Sequence, residues 1–107
     1  MFGVRKREGG SLLSYLSMKI ANQHKLALCD SGATASLMDL ALIKRLKLSS
    51  QVKKGSSYEL TGAFNGNSIE PYGEIELPFY INKRKFTHNF IVADLAGNNK
   101  ILLGADF

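Results

Sequence analysis

The chain has 107 residues, 45% of them hydrophobic and 21% charged, which predicts one small folded domain and excludes bulk disorder. No apolar run reaches the roughly 18 residues that a membrane-spanning helix needs, and a single cysteine excludes an internal disulfide framework. The formal charge of +5 comes from scattered basic clusters without a nucleic-acid-binding motif. We therefore expect a solvated basic surface, with no specific nucleic acid and no membrane as partner.

The first elements in chain order are a leader and two strands. Residues 1–10 are basic, contain two adjacent glycines and lack periodicity, which predicts a flexible basic leader. Apolar residues at even spacing between positions 12 and 20 predict a half-buried strand. The mostly polar residues 21–24 predict a hairpin turn, after which Leu26 and Leu28 resume the alternation on a second strand.

The next segment predicts the one helix, over residues 37–46. Ser36 and Asp39 have the spacing of a capping box, although the box prefers Glu or Gln at its last position. Apolar residues then recur along one face, and basic residues near the end of the segment suit the negative end of the helix dipole.

The rest of the chain predicts strands. They are expected within residues 56–64, 67–72, 75–81, 86–92 and 101–107. Asn65-Gly66 is favoured in a tight hairpin turn because both residues tolerate positive φ. Pro78 lacks an amide donor and predicts an exposed or irregular strand edge. The sequence thus predicts a mostly β domain with one short helix.

The strongest chemical signal is Asp30, which stands at the end of an apolar strand and directly before Ser31-Gly32. A buried ionised carboxylate is costly, so this side chain must be hydrogen-bonded, paired, protonated or functional. Gly32 lets the backbone approach a ligand closely, and Ser31 supplies a hydroxyl beside the carboxylate. On these three residues alone, a structural Asx turn and a catalytic carboxylate both remain open.

Three features, in order along the chain, resemble the retropepsins, the aspartic proteases of retroviruses and long-terminal-repeat retrotransposons. The first is the apolar strand that runs into Asp30-Ser31-Gly32-Ala33, and the second is the hairpin over residues 58–69, which is similar to the family's flap. The third is the segment 101–106, similar to a late pattern of two apolar residues, Gly, any residue and a polar residue. The resemblance covers residues 12–107. It implies a closed, β-barrel-like fold and an aspartic endopeptidase without a cofactor or metal.

The resemblance also implies that one chain supplies half of an active site. Peptide hydrolysis by this route uses two carboxyl groups around one water, one as base and one as acid. Only Asp30 occurs in an Asp-Ser-Gly context here, so the second carboxyl would come from the partner in a homodimer. The implied substrates are extended peptide segments of a Gag-Pol-like polyprotein of a retroelement, in the cytoplasm or within a virus-like particle.

Roles for the site residues follow from the same resemblance. Asp30 would be the catalytic acid and base. The residues that would support the active loop are Ser31, Gly32, Leu102, Leu103 and Gly104. The residues that would bind substrate are Gly32, Ala33, Phe64, Asn65 and Gly66, the last three at the flap tip.

The domain boundaries and two alternatives complete the interpretation. Residues 11–107 are expected to form the protease domain, without the C-terminal helix and strand with which retropepsins usually continue. One alternative is a catalytically silent retropepsin-like module for dimerisation or binding, which the intact Asp-Ser-Gly disfavours. The other is a nucleic-acid-binding β-barrel, which would need aromatic residues on a sheet face. Phe79, Phe86 and Phe90 instead alternate as core residues do.

Other chemically capable residues are predicted to have structural roles. Asp39 and Asp106 are expected to cap helices. Cys29 is expected to be a small buried hydrophobic residue. His24 and His88 lack the spacing to other ligands that a metal site requires.

Overall fold

The structure, a computed structural model, describes residues 14–30, 32–56, 60–64, 67–95 and 100–107, with residues 60–64 and 67–69 described by their backbone alone. The strands are β1 (Ser14–Ile20), β2 (Gln23–Cys29), β3 (Leu37–Asp39), β4 (Lys53–Lys54), β5 (Leu60–Phe64), β6 (Asn67–Ile69), β7 (Gly73–Ile81), β8 (Arg84–Ala93) and β9 (Ile101–Leu103). The helix α1 spans Leu40–Arg45, and a single 3₁₀ turn spans Ser49–Gln51. The predicted mostly β fold with one short helix is confirmed. None of the helices in these ranges is long and apolar enough to cross a membrane.

Six of the strands close into a barrel. Their order is β1-β2-β9-β3-β8-β7, and β1 meets β7 again through the pair Lys19 and Tyr80. The pairs β2–β9 and β3–β8 are parallel, whereas the other pairs in the ring are antiparallel. The short β4 adds to β7, and β5 and β6 form a separate two-stranded hairpin.

The core fills the inside of the barrel with the inward-facing residues of its strands. On β7 the alternation is as the sequence predicts, since Ile75, Leu77 and Phe79 are buried. The ring of Phe79 packs edge-on against Phe90, with centroids 5.8 Å apart. Burial of each such side chain stabilises the fold by about 1.5–3 kcal/mol.

The helix begins three residues later than the sequence predicts. Leu37 and Met38 pair with both β8 and β9 and are buried, so their backbone groups bond within the sheet. Asp39 does occupy the N-cap position, but its side chain makes no capping bond and its Oδ1 accepts a hydrogen bond from the Leu95 amide at 2.9 Å. The capping-box prediction for Ser36 and Asp39 is therefore wrong, because tertiary partners take both side chains.

Two hairpin turns are tight, and the first is shorter than the predicted turn over residues 21–24. Ala21-Asn22 joins β1 to β2, and Asn82-Lys83 joins β7 to β8, with positive φ at all four residues. This is the backbone of a type I′ turn, whose twist matches that of the strands it connects. β2 also turns a different face to the core than its apolar residues predict, since Leu26 is 64% exposed.

Pro78 lies opposite Thr87 of β8, at a position on β7 between the pairings with β4 and β1. The predicted irregular edge is thus found at the gap between two short partners. The predicted leader and the predicted turn at Asn65-Gly66 lie outside the described residues.

Candidate active site

The loop that follows β2 is anchored by β9. The Asp30 amide donates to the Leu103 carbonyl at 2.9 Å, which continues the parallel pairing of β2 with β9. On its other edge β9 pairs with β3 through Leu37 and Leu102. The strand that enters the loop and the strand that leaves it are thus both fixed to β9, and Leu102 and Leu103 of β9 are buried.

Among the described residues, the carboxyl group of Asp30 is hydrogen-bonded through one of its two oxygens. The side chain is 8% exposed, and its Oδ1 accepts a hydrogen bond from the Gly32 amide at 2.9 Å. The Ala33 amide donates to the Asp30 carbonyl at 3.1 Å, which closes the turn. Within the described part of the chain, Oδ2 is buried and has no hydrogen-bond partner. A buried carboxylate oxygen without a donor is unfavourable.

Cys29, next to Asp30, is only partly buried and packs against the barrel core. Burial raises the pKa of its thiol above the ordinary value of 9.0. The neutral thiol therefore dominates at physiological pH, which fits the predicted role as a small hydrophobic residue and not as a nucleophile.

Gly104 lets the chain after β9 pass directly under the loop. A Cβ at this position would lie 2.4 Å from the carbonyl oxygen of Ala35 and 2.7 Å from that of Ala33. The Ala105 amide donates to the Ala33 carbonyl at 2.7 Å, which ties the two segments together. The predicted supporting position of Gly104 thus has a steric reason in the structure.

A partly buried polar cluster, which the sequence does not reveal, fixes the far end of the loop. The hydroxyl of Ser36 donates to Asp106 Oδ1 at 2.8 Å and accepts from the Gly104 amide at 3.1 Å. His88 Nε2 lies 3.2 Å from both Ser36 Oγ and Asp106 Oδ2. We call Ser36, His88 and Asp106 the polar latch. Its members are separated by 52 and 70 positions from Ser36, so no local motif could have shown it.

The latch contains Ser, His and Asp but does not have the geometry of a nucleophilic triad. Ser36 is 1% exposed, and its proton is directed to the carboxylate, so the hydroxyl cannot reach a substrate. Asp106 was predicted to cap a helix. In the structure its carboxylate instead binds Ser36 and His88.

The remaining predicted site residues differ in how far the structure describes them. Gly32 is exposed on the loop, whereas Ala33 is buried in a small apolar cluster with Leu102. Phe64 ends β5, and only its backbone is described. Ser31, Asn65 and Gly66 lie outside the described residues. Within the described ranges, His, Cys, Asp and Glu form no group of three that could hold a metal ion.

Comparison with known sequences gives one family. A family model described as aspartyl protease matches residues 16–107. The match covers the barrel strands, the loop after β2 and the segment after β9. Among curated proteins, no sequence matches the chain at a significant level.

Solved structures share the fold. The EIAV protease, in complex with the inhibitor HBY-793, superposes with a TM-score of 0.69 at 21% identity over 94% of this chain and 89% of that one. The retroviral protease-like domain of Ddi1 from Leishmania major gives 0.67 at 21% identity over 89% and 71%. A retropepsin-like aspartic protease from Rickettsia conorii gives 0.63 at 21% identity over 94% and 78%. These likenesses confirm the predicted barrel-like fold.

Proposed function

Because the chain belongs to the aspartyl protease family and has the fold of the retroviral proteases, we propose that it is an aspartic endopeptidase that acts as a homodimer. The observation that carries the proposal is the Asp30 carboxyl group. It is buried at the start of a glycine-containing loop, with Oδ1 held by the Gly32 amide and Oδ2 without a partner among the described residues.

In the proposed dimer, the second Asp30 supplies the group that Oδ2 lacks. Two carboxyl groups about 3 Å apart cannot both ionise cheaply, so they share one proton. The ionised carboxyl takes a proton from a water molecule, and the protonated one donates to the carbonyl oxygen of the scissile bond. Hydrolysis then proceeds through a tetrahedral intermediate without a covalent bond to the enzyme.

The loop geometry supports a role in positioning as well. Gly32 is exposed beside the carboxyl group, where its backbone can bond an extended peptide, and the β5–β6 hairpin is proposed as the flap that covers it. Ser31 is proposed to join the two loops across the two-fold axis. We propose extended segments of a retroelement polyprotein as the substrate class.

The test is cleavage of an unstructured peptide library by the purified chain and by its Asp30→Asn variant. We expect cleavage that increases more steeply than linearly with enzyme concentration, because the dimer is the active species, and that stops with a pepstatin-type inhibitor. Asp30→Asn should reduce the rate to background. Asp94→Asn makes the same chemical change at an exposed position outside the site and should keep the wild-type rate.

Other outcomes would redirect the proposal. Cleavage that persists in Asp30→Asn would show that a different group does the chemistry. A dimer proven by sedimentation that cleaves nothing would favour a silent module for dimerisation or binding.

A further inference from the structure

Four exposed side chains form one row across the outer face of the barrel, at the end opposite the active loop. His24 pairs with Lys19, Lys19 with Tyr80, and Tyr80 with Lys85, in strands β2, β1, β7 and β8. Cross-strand partners project on the same side of a sheet, so the four side chains are neighbours. With strands about 4.8 Å apart, the row is about 15 Å long. An aromatic ring thus stands between two lysines.

The row borders a concave surface. A cleft of about 830 Å³ is lined by the row and by the two tight turns, which contribute Asn22, Asn82 and Lys83. We call this the hairpin cleft. His24 is six residues before Asp30 on β2, so at about 3.3 Å per residue the cleft lies about 20 Å from the candidate active site. It is a separate feature.

The charge of the hairpin cleft has one sign. Three lysines and one histidine line it, and its lining contains no Asp or Glu. The lining itself therefore offers no acidic group that would neutralise Lys19, Lys83 or Lys85. Like charges along a concave surface raise the local concentration of anions, and the chain as a whole carries +5.

We propose that the hairpin cleft binds single-stranded nucleic acid without sequence preference. The lysines contact phosphates, and a base stacks on the ring of Tyr80, which is 44% exposed. Base stacking on an aromatic side chain within a basic groove is the usual mode for such binding. An acidic peptide would match the lysines equally well but would leave the exposed ring without a planar partner. The ring therefore favours nucleic acid.

The proposal goes beyond peptide hydrolysis, and it revises the sequence interpretation. An aromatic residue on a sheet face was the feature that a nucleic-acid-binding barrel would need. The phenylalanines Phe79 and Phe90 are buried, but Tyr80 supplies that feature on the outer face.

The test uses fluorescence anisotropy of a labelled (dT)12 oligonucleotide with the full chain, between 25 and 200 mM NaCl. Each phosphate contact contributes about −0.7 to the slope of log K against log salt for single strands, so three lysines predict a slope of about −2. The double variant Lys19→Gln/Lys85→Gln should reduce the slope to about −0.7. The control Lys53→Gln/Lys54→Gln removes the same charge from β4, outside the cleft, and should bind as the wild type does.

Substitutions of Tyr80 test base stacking separately from the phosphate contacts of the lysines. Tyr80→Leu should weaken binding about 5- to 150-fold with an unchanged salt slope, whereas Tyr80→Phe should retain binding. Circular dichroism of each variant checks that the barrel is intact.

Three results would overturn the proposal. The first is no binding of (dT)12 by the wild type at 25 mM NaCl. The second is an equal loss in the cleft variant and the β4 control, which would indicate a diffuse basic surface. The third is binding of a labelled 12-residue polyglutamate as tightly as (dT)12, with no effect of Tyr80→Leu, which would assign the cleft to acidic peptides.

Discussion

Because Gly104 has no side chain, the segment after β9 can pack closely against the active loop. An added Cβ would approach the Ala35 and Ala33 carbonyl oxygens to 2.4 and 2.7 Å, and neither backbone atom can move without displacing the loop that begins at Asp30. We predict that Gly104→Ala lowers the free energy of unfolding by about 1–3 kcal/mol, as overpacking does elsewhere. Urea denaturation measures this change, and the rate of peptide cleavage should fall with it.

The neighbouring Ala105 provides the matched control. Its side chain is exposed, so Ala105→Ser also adds one heavy atom but should change the stability by no more than about 0.5 kcal/mol. Equal stability of the Gly104→Ala variant and the wild type would show that the loop does not depend on this close contact.

At the scale of single residues, the sequence predicts the features that are visible in a short stretch of neighbouring residues. Asp30 is evident from its place between an apolar strand and Ser-Gly, and Gly104 from its place after an apolar pair. The polar latch is not evident, because Ser36, His88 and Asp106 come together only when β3, β8 and the segment after β9 meet. Tyr80 is not evident either, because it lies on the polar face of an alternating strand, where exposed residues of many types occur.

The polar latch acts between secondary-structure elements, since it joins the segment after β9 to the start of β3 and to β8. The Ser36 hydroxyl serves Gly104, Asp106 and His88 at once. We predict that Ser36→Ala lowers the free energy of unfolding by about 1–3 kcal/mol, because it leaves the Gly104 amide and the Asp106 carboxylate without a partner they now have. The midpoint of urea denaturation gives the change.

Thr34, two residues earlier on the same loop, is exposed and serves as the control. Thr34→Ala should change the stability by no more than about 0.5 kcal/mol. If the two variants have the same midpoint, the latch contributes nothing measurable and the segment is held by backbone bonds alone.

Element boundaries were the part of the fold that the sequence predicted least well, and the reason is tertiary pairing. Residues 37–39 have a pattern that suits the first turn of a helix, yet all three pair with β8, and Leu37 and Met38 pair with β9 as well. On β2 the small Ala27 faces the core, while Leu26 points outward. Periodicity reports which residues are apolar, and it cannot report which face a neighbouring strand will cover.

At the scale of the whole molecule, the described chain is a closed barrel with the candidate active loop at one end. Closure depends on β1 meeting β7 at Lys19 and Tyr80, and it places the active loop at one end of β2 and the hairpin cleft at the other. The loop presents one buried carboxyl oxygen without a partner among the described residues. The proposed homodimer is the simplest arrangement that gives that oxygen a proton to share.

Proton sharing makes a prediction about assembly. The paired site in the proposed dimer holds one proton between two carboxyl groups, whereas the carboxyl groups of separate chains have no such proton to share. Dimerisation therefore takes up a proton, so the dimer is favoured at low pH and weakened as pH rises. For uptake of one proton, the dissociation constant should increase by up to about tenfold per pH unit.

Sedimentation equilibrium of the wild type and of Asp30→Asn, at several pH values between 5 and 8, measures this linkage. Asn cannot hold or lose the shared proton but has almost the same shape, so the variant should still dimerise with a dissociation constant that depends much less on pH. The comparison isolates the site, because every other titrating group is common to both proteins. Parallel pH profiles for the two would mean that the Asp30 carboxyls do not share a proton, and the proposed catalytic arrangement would have to be abandoned even if the chain dimerises.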